Sequence, residues 1–225
     1  MRSAIIGAFF AENDVRLRPF VAASTRVTHT DPKAETAALA VARSAAWACG
    51  GAWDAASVLK MLASCGDDDE WQQICRRLNE AHTGQETVAE FARSLGLESG
   101  VTGYAYHTVP VAIYAWLRHP ADYHTALTRA LDCGGDTDTV GAIVGGLVGT
   151  GVGDTGIPKE WSERLLEWPC NETVLRRLAE RLAQQAVQEQ PVGALPYFRA
   201  GVIPRNLFFL AVVLVHGFRR LLPPY

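Results

Sequence analysis

At 225 residues and 48% hydrophobic content the chain is long enough to bury a core and reads as globular. A formal charge of −3 and a pI near 6.1 argue against the basic stripe with which nucleic-acid binders neutralise phosphates, so any anionic ligand must be held by local donors or a metal. Five cysteines (Cys49, Cys65, Cys75, Cys133, Cys170) form no CxxC pair and, being odd in number, suggest no disulfide framework; a cytoplasmic, reducing setting fits them.

Arg2 and the apolar run from Ala4 to Ala11 imitate a signal peptide, but Glu12, Asp14 and three arginines up to Arg26 come after it without a cleavage site, so the run reads as buried core. Helical patterning dominates from there, over 34–49, 53–64, 69–81, 85–95, 108–118, 121–132, 138–150, 160–167, 171–189 and 205–222. No stretch alternates for long like a half-buried strand, so the fold class is all-α. Asp31-Pro32-Lys33-Ala34-Glu35 opens a helix, with an N-cap candidate, a first-turn proline and an early carboxylate.

The acidic run Asp67-Asp68-Asp69-Glu70 lies after Gly66 and before an amphipathic stretch, where carboxylates complement a helix dipole; it reads as a helix start, not as a metal site. Thr108-Val-Pro-Val-Ala-Ile-Tyr-Ala-Trp-Leu places Pro110 in a first turn, and the residues after it are apolar nearly all round, which marks the centre of the fold. From Gln184 to Gly201 glutamine, proline and glycine accumulate, as in a linker. The nine apolar residues Leu207–Val215 fall short of the roughly 20 a spanning helix needs, so a membrane partner is not expected. Arg205, Arg219 and Arg220 flank the run and keep an interfacial helix open as an alternative to a helix packed on the core or a partner.

Cys133 to Gly146 reads CGGDTDTVGAIVGG and carries the most chemistry. Gly134 and Gly135 free the backbone, Asp136 and Asp138 with Thr137 and Thr139 come next, and a helix of small residues begins. On a turn at a helix start, the two carboxylates can converge on one point, where they need a proton or a cation. The ligand atoms are hard oxygens, which favour magnesium, calcium or manganese over zinc. The competing reading makes Asp136 or Thr137 a plain N-cap, with Gly141, Gly145 and Gly149 serving close helix packing.

GGDTDT followed by a glycine- and alanine-rich helix resembles the signature of the ADP-ribosylglycohydrolase family, relatives of the dinitrogenase-reductase-activating glycohydrolases. Other segments extend the likeness in the family's order over roughly 1–182: Arg26 to Pro32 (RVTHTDP), Gly103 to Pro110 (GYAYHTVP), Arg118-His119-Pro120, and Ile157-Pro158 followed by Trp161. The resemblance implies an orthogonal multi-helix domain over 1–183, a linker over 184–202, and an apolar carboxy-terminal helix over 203–225. It implies a magnesium-dependent hydrolase, with manganese a substitute, that removes ADP-ribose from modified proteins or related small molecules. Asp136, Asp138 and Thr139 would be ligands of a two-metal centre, and His29, Tyr104, Gly134 and Gly135 would line the substrate cleft, while His107 and His119 are left structural.

Family members also carry an amino-terminal portion with glycine-aspartate and threonine-aspartate-aspartate motifs, which supplies further metal ligands and the acidic catalytic residue. Neither motif is found here, and Met1-Arg2-Ser3 resembles the end of a family loop that precedes an apolar helix. The domain is therefore expected to be amino-terminally truncated, to bind magnesium weakly alone, and to pair with a companion chain or with itself. The alternative function is a catalytically inactive ADP-ribose-binding or interaction module, and a third reading is a membrane-associated helical protein using residues 203–222.

Overall fold

A computed structural model describes residues 1–51, 53–165, 167–188, 191–196 and 198–221. Parts of the expected linker (189, 190 and 197) and the last four residues of the expected terminal helix (222–225) lie outside them. Among the described residues there are twelve α-helices and no strand. Two compact units form, one from Met1 to Pro158 and one from Lys159 onward.

The first unit contains α1 (Ser3–Phe9), α2 (Asp14–Arg26), α3 (Pro32–Cys49), α4 (Ala55–Ala63), α5 (Asp69–Thr83), α6 (Val88–Ser94), α7 (Ala105–Arg118), α8 (Tyr123–Leu131) and α9 (Thr137–Val152). Side-chain caps start most of them: Asn13, Asp31, Asp54, Asp68, Thr87 and Asp122 each accept a hydrogen bond from a first-turn N–H. Thr87 and Glu90 form a reciprocal capping box on α6.

The centre of the unit is α7, in which every residue from Thr108 to Leu117 is buried. Trp116, Tyr114 and Ile113 are among the largest enclosed side chains, each contributing about 1.5–3 kcal/mol of apolar burial. The Tyr114 hydroxyl satisfies itself by donating to the carbonyls of Glu86 at 2.7 Å and Ala81 at 3.0 Å. Around α7 pack α3, α5, α8 and α9. The small residues of α9 permit close approach: a side chain at Gly145 would meet the Tyr123 hydroxyl at 2.8 Å, and one at Gly146 would meet Ala4 at 2.9 Å.

Several elements differ from the sequence reading. The second helix, α2, is not among the expected ones, and α1 was implied only by the family loop that Met1-Arg2-Ser3 resembles; α1 has no side-chain cap, and Pro19 lies inside α2, whose Val15 and Phe20 face solvent, so neither shows a clean start or period. The central helix begins at Ala105, three residues before the expected start, so Pro110 sits in its second turn and not its first. Thr102 starts it earlier, accepting the Tyr104 N–H at 3.2 Å, while the Thr108 hydroxyl donates to the Thr102 carbonyl at 2.8 Å. The helix Glu172–Val187 falls within the expected 171–189, whose end overlaps the first residues of the expected linker.

The second unit contains α10 (Lys159–Glu163), α11 (Glu172–Val187) and α12 (Val202–Arg220), none with a buried residue. Arg205 donates twice to Glu167, at 2.9 Å each, and that guanidinium holds the Glu167 carboxyl below the usual range. Gly201 is wedged against Trp168 and Phe198, whose rings lie 6.0 Å apart.

Candidate functional site

The turn between α8 and α9 is shaped by two consecutive residues in the left-handed region, Gly134 at φ 69° and Gly135 at φ 79°. Gly135 pairs in a parallel bridge with Val101: the Val101 N–H donates to the Gly134 carbonyl at 3.1 Å, and the Asp136 N–H donates to the Val101 carbonyl at 2.7 Å. A Cβ at Gly135 would fall 2.0 Å from that carbonyl oxygen, so only glycine fits. Gly134 and Gly135 therefore place the acidic turn against residues 100–103, the loop that feeds α7.

Asp136 occupies the N-cap of α9, yet its side chain accepts no capping hydrogen bond. Instead its carboxyl meets that of Asp138, which is exposed one residue into the helix. The Asp138 carboxyl is held below the usual range, first by the hydrogen bond to Asp136 and then by the N–H groups of Thr139 and of Asp138 itself. Two neighbouring carboxylates repel each other, and a divalent cation would relieve that repulsion. Thr139 stands half-buried on the same first turn.

Tyr104 is the N-cap of α7 and comes directly after Gly103, where a Cβ would sit 3.4 Å from Asp136 Oδ2. Its neighbourhood is thus the acidic turn. The Tyr104 hydroxyl donates to Glu70 at 3.0 Å and accepts from Lys33 Nζ at 3.0 Å, and Lys33 also bonds Glu70. Lys33 lies 5.7 Å and 5.5 Å from the ring centres of Tyr104 and Tyr106 and is held well above the usual ammonium range, chiefly by Glu70. His107, expected to be structural, sits edge-on to the Tyr104 ring at 5.1 Å and hydrogen-bonds Thr102 through Nδ1 at 2.9 Å.

His29 is exposed in the turn between α2 and α3, with Nδ1 2.8 Å from the Thr28 hydroxyl, which Arg2 also holds at 2.6 Å. None of its hydrogen bonds among the described residues reaches the acidic turn. His119 caps the end of α7, where burial first and Arg118 second push its pKa down. Lys33 and Glu70 are the residues the sequence reading missed. Glu70 counted there as a dipole carboxylate, and nothing local to it announces a partner 37 residues earlier and another 34 residues later.

Among the described residues no three His, Cys, Asp or Glu side chains converge on one point. The acidic turn offers two carboxylates and a hydroxyl, a donor set of the right hardness but short of the six oxygens magnesium demands. Those residues fit part of a divalent coordination sphere, to be completed by water, substrate or further protein oxygens. Cavities of about 450 and 480 Å³ open elsewhere, one beside Asp14 and Arg43 and one beside Cys65 and Asp67, and neither is lined by residues 134–139.

Set beside known proteins, 97 residues of the chain align at 32% identity with the ADP-ribosylarginine hydrolase Tri1 of Pseudomonas putida (strain GB-1), covering 43% of this chain and 24% of that relative. The aligned part thus spans about a quarter of the relative's length. The model of the ADP-ribosylglycohydrolase family matches residues 1–191, most of the chain and all of the acidic turn, and with the all-helical fold this places the protein in the ADP-ribosylglycohydrolase family.

Proposed function

We propose that the chain acts in hydrolysis of the N-glycosidic bond between ADP-ribose and an arginine guanidinium on a modified protein, with a magnesium ion held in part by Asp136, Asp138 and Thr139. The observation that carries this is the acidic turn that Gly134 and Gly135 seat against Val101, where Asp136 stands at the N-cap of α9 without making a side-chain capping bond. The arginine linkage is taken from what the Pseudomonas relative is called. When bound, such a cation polarises ribose hydroxyls and orients water. Manganese fits the same oxygens. The five free cysteines suit a cytoplasmic site of action.

The residues of this chain divide the work. Asp136 and Asp138 hold negative charge at the positive end of α9. Gly134 and Gly135, both in left-handed backbone, seat the acidic turn against Val101 and fix where Asp136 stands. Tyr104 is held in place by Lys33 and Glu70 and follows Gly103, the residue that adjoins Asp136. In the reaction, water attacks the ribose anomeric carbon, the carbon–nitrogen bond breaks, and the departing guanidine takes the proton.

A second reading has one observation in its favour: without a third acidic or imidazole ligand among the described residues, the turn suits an ADP-ribose-binding module that does not turn over. One experiment separates the two. Release of ADP-ribose from an ADP-ribosylated arginine peptide is measured with magnesium and with chelator, alongside ADP-ribose binding by calorimetry. The hydrolase reading expects magnesium-dependent release that Asp136→Asn and Asp138→Asn each lower by at least about a hundredfold. Metal-independent binding without release establishes the second reading, and release unchanged in both variants removes the acidic turn from the mechanism.

A further inference from the structure

The nine apolar residues counted in the sequence belong to a longer element, the 19-residue α12, and from Asn206 to Arg220 every side chain of it is exposed. Leu207–Val215 is an unbroken apolar run, so at about 3.6 residues per turn it covers the helix on every side for roughly two and a half turns. A surface helix, or one lying in the plane of a membrane interface, keeps a polar face. Here there is none. A partner groove or a second helix covers one stripe, whereas a medium that surrounds the helix is required to cover all of it.

Length, charge and flanking aromatics name that medium. Of its nineteen residues the twelve from Leu207 to Phe218 lie between the flanking polar groups and rise about 18 Å, enough to enter, though not to cross, the roughly 30 Å of a bilayer's hydrocarbon layer. The helix contains no Asp or Glu, and Arg219 and Arg220 close one end, able to reach headgroup phosphates while their stems stay apolar. At the Arg205 end, Arg205 lies 4.6 Å over the Phe209 ring and bonds Glu167, while Trp168 and Phe198 crowd Gly201, an amphipathic collar of the kind found at a lipid–water boundary. A buried core helix of the same composition would be covered by protein, and this one is not.

We propose that α12 inserts into a lipid bilayer and tethers the molecule to a membrane carrying anionic headgroups. The full chain is tested by flotation with phosphatidylcholine vesicles containing phosphatidylglycerol, followed by washes in high salt and in alkaline carbonate. The expected result is that the chain floats and stays with the vesicles through both washes, and that Val213→Glu, which puts a carboxylate at the middle of the apolar run, lowers the floating fraction roughly a hundredfold. Far-ultraviolet circular dichroism of the variant shows whether its helices persist. Chain that stays in the dense fraction, chain released by salt or carbonate, or a vesicle-independent dimer in which α12 is protected from proteolysis each overturns the proposal, the last by showing that a second copy is the cover. ADP-ribose release is read separately on the same samples, so loss of one property leaves the other standing.

Discussion

Two acidic helix starts in this molecule use the same residue types for opposite ends. Before α5, Asp68 accepts the Trp71 N–H at 3.0 Å and the Tyr106 hydroxyl at 2.6 Å, while Glu70 accepts from Lys33 and Tyr104. Before α9, Asp136 caps nothing with its side chain and Asp138 finds another carboxyl. In the first turn Asp68 and Glu70 both have donors, so their charge stabilises the fold. In the second, two acceptors face each other and lack a positive partner, an arrangement that holds together best once something else binds. An acidic helix start is thus read from where its carboxylates are satisfied, not from how many there are.

The comparison is broken most severely by moving the second turn itself. Gly135→Ala forces a Cβ into the Val101 carbonyl and into a left-handed backbone, and the bridge that seats Asp136 cannot survive. Left-handed strain of about 1–2 kcal/mol and two weakened backbone hydrogen bonds of about 1 kcal/mol each give a loss of about 3–4 kcal/mol, a fall of roughly 10 °C in Tm by calorimetry. An unchanged Tm would show that the turn is soft and its geometry incidental.

Next in size is Asp68→Ala, which removes a cap worth about 1 kcal/mol and leaves the Tyr106 hydroxyl without its acceptor for about 1–3 kcal/mol more. Urea denaturation should place the loss at about 2–4 kcal/mol. The pH dependence sharpens the point. Burial opposes ionisation of Asp68, yet the Tyr106 hydroxyl, the Trp71 N–H and Lys33 together hold its carboxyl below the usual 3.8. A depressed folded pKa means stability that is fully present above about pH 4 and fades as pH falls through the folded value. Asp68→Asn should therefore flatten the acid limb of the stability curve; an unaltered slope would show that other carboxylates set it.

The sequence displayed much of this and concealed the rest for physical reasons. Helices from α3 to α9 announce themselves because their caps and periods are local: Asp31, Asp68 and Asp122 each stand immediately before the run they start. The GGDTDT turn was legible for the same reason, since Gly134 to Thr139 are contiguous. The tie of Tyr104 to Lys33 and Glu70 was not, because it joins residues 71 and 34 positions apart and depends on how α3, α5 and α7 pack. Contacts made by packing carry no local signature, and the site's supporting wall is made of them.

The smallest expected effect is the most telling. Asp136→Ala removes a carboxylate from the positive end of α9, which costs about 0.3–1 kcal/mol, but it also relieves Asp138 of a like neighbour, an opposing change of similar size. No capping bond is lost, because none is made by that side chain. Tm should therefore stay within ~2 °C of the parent, against the several degrees lost by Asp68→Ala. A fall as large as that of Asp68→Ala would make Asp136 a structural cap after all, and the two helix starts would then be alike. Stability kept while magnesium-dependent release is lost is the pattern of a residue that serves a ligand and not the fold, and the paired substitutions at 68 and 136 read it within a single protein.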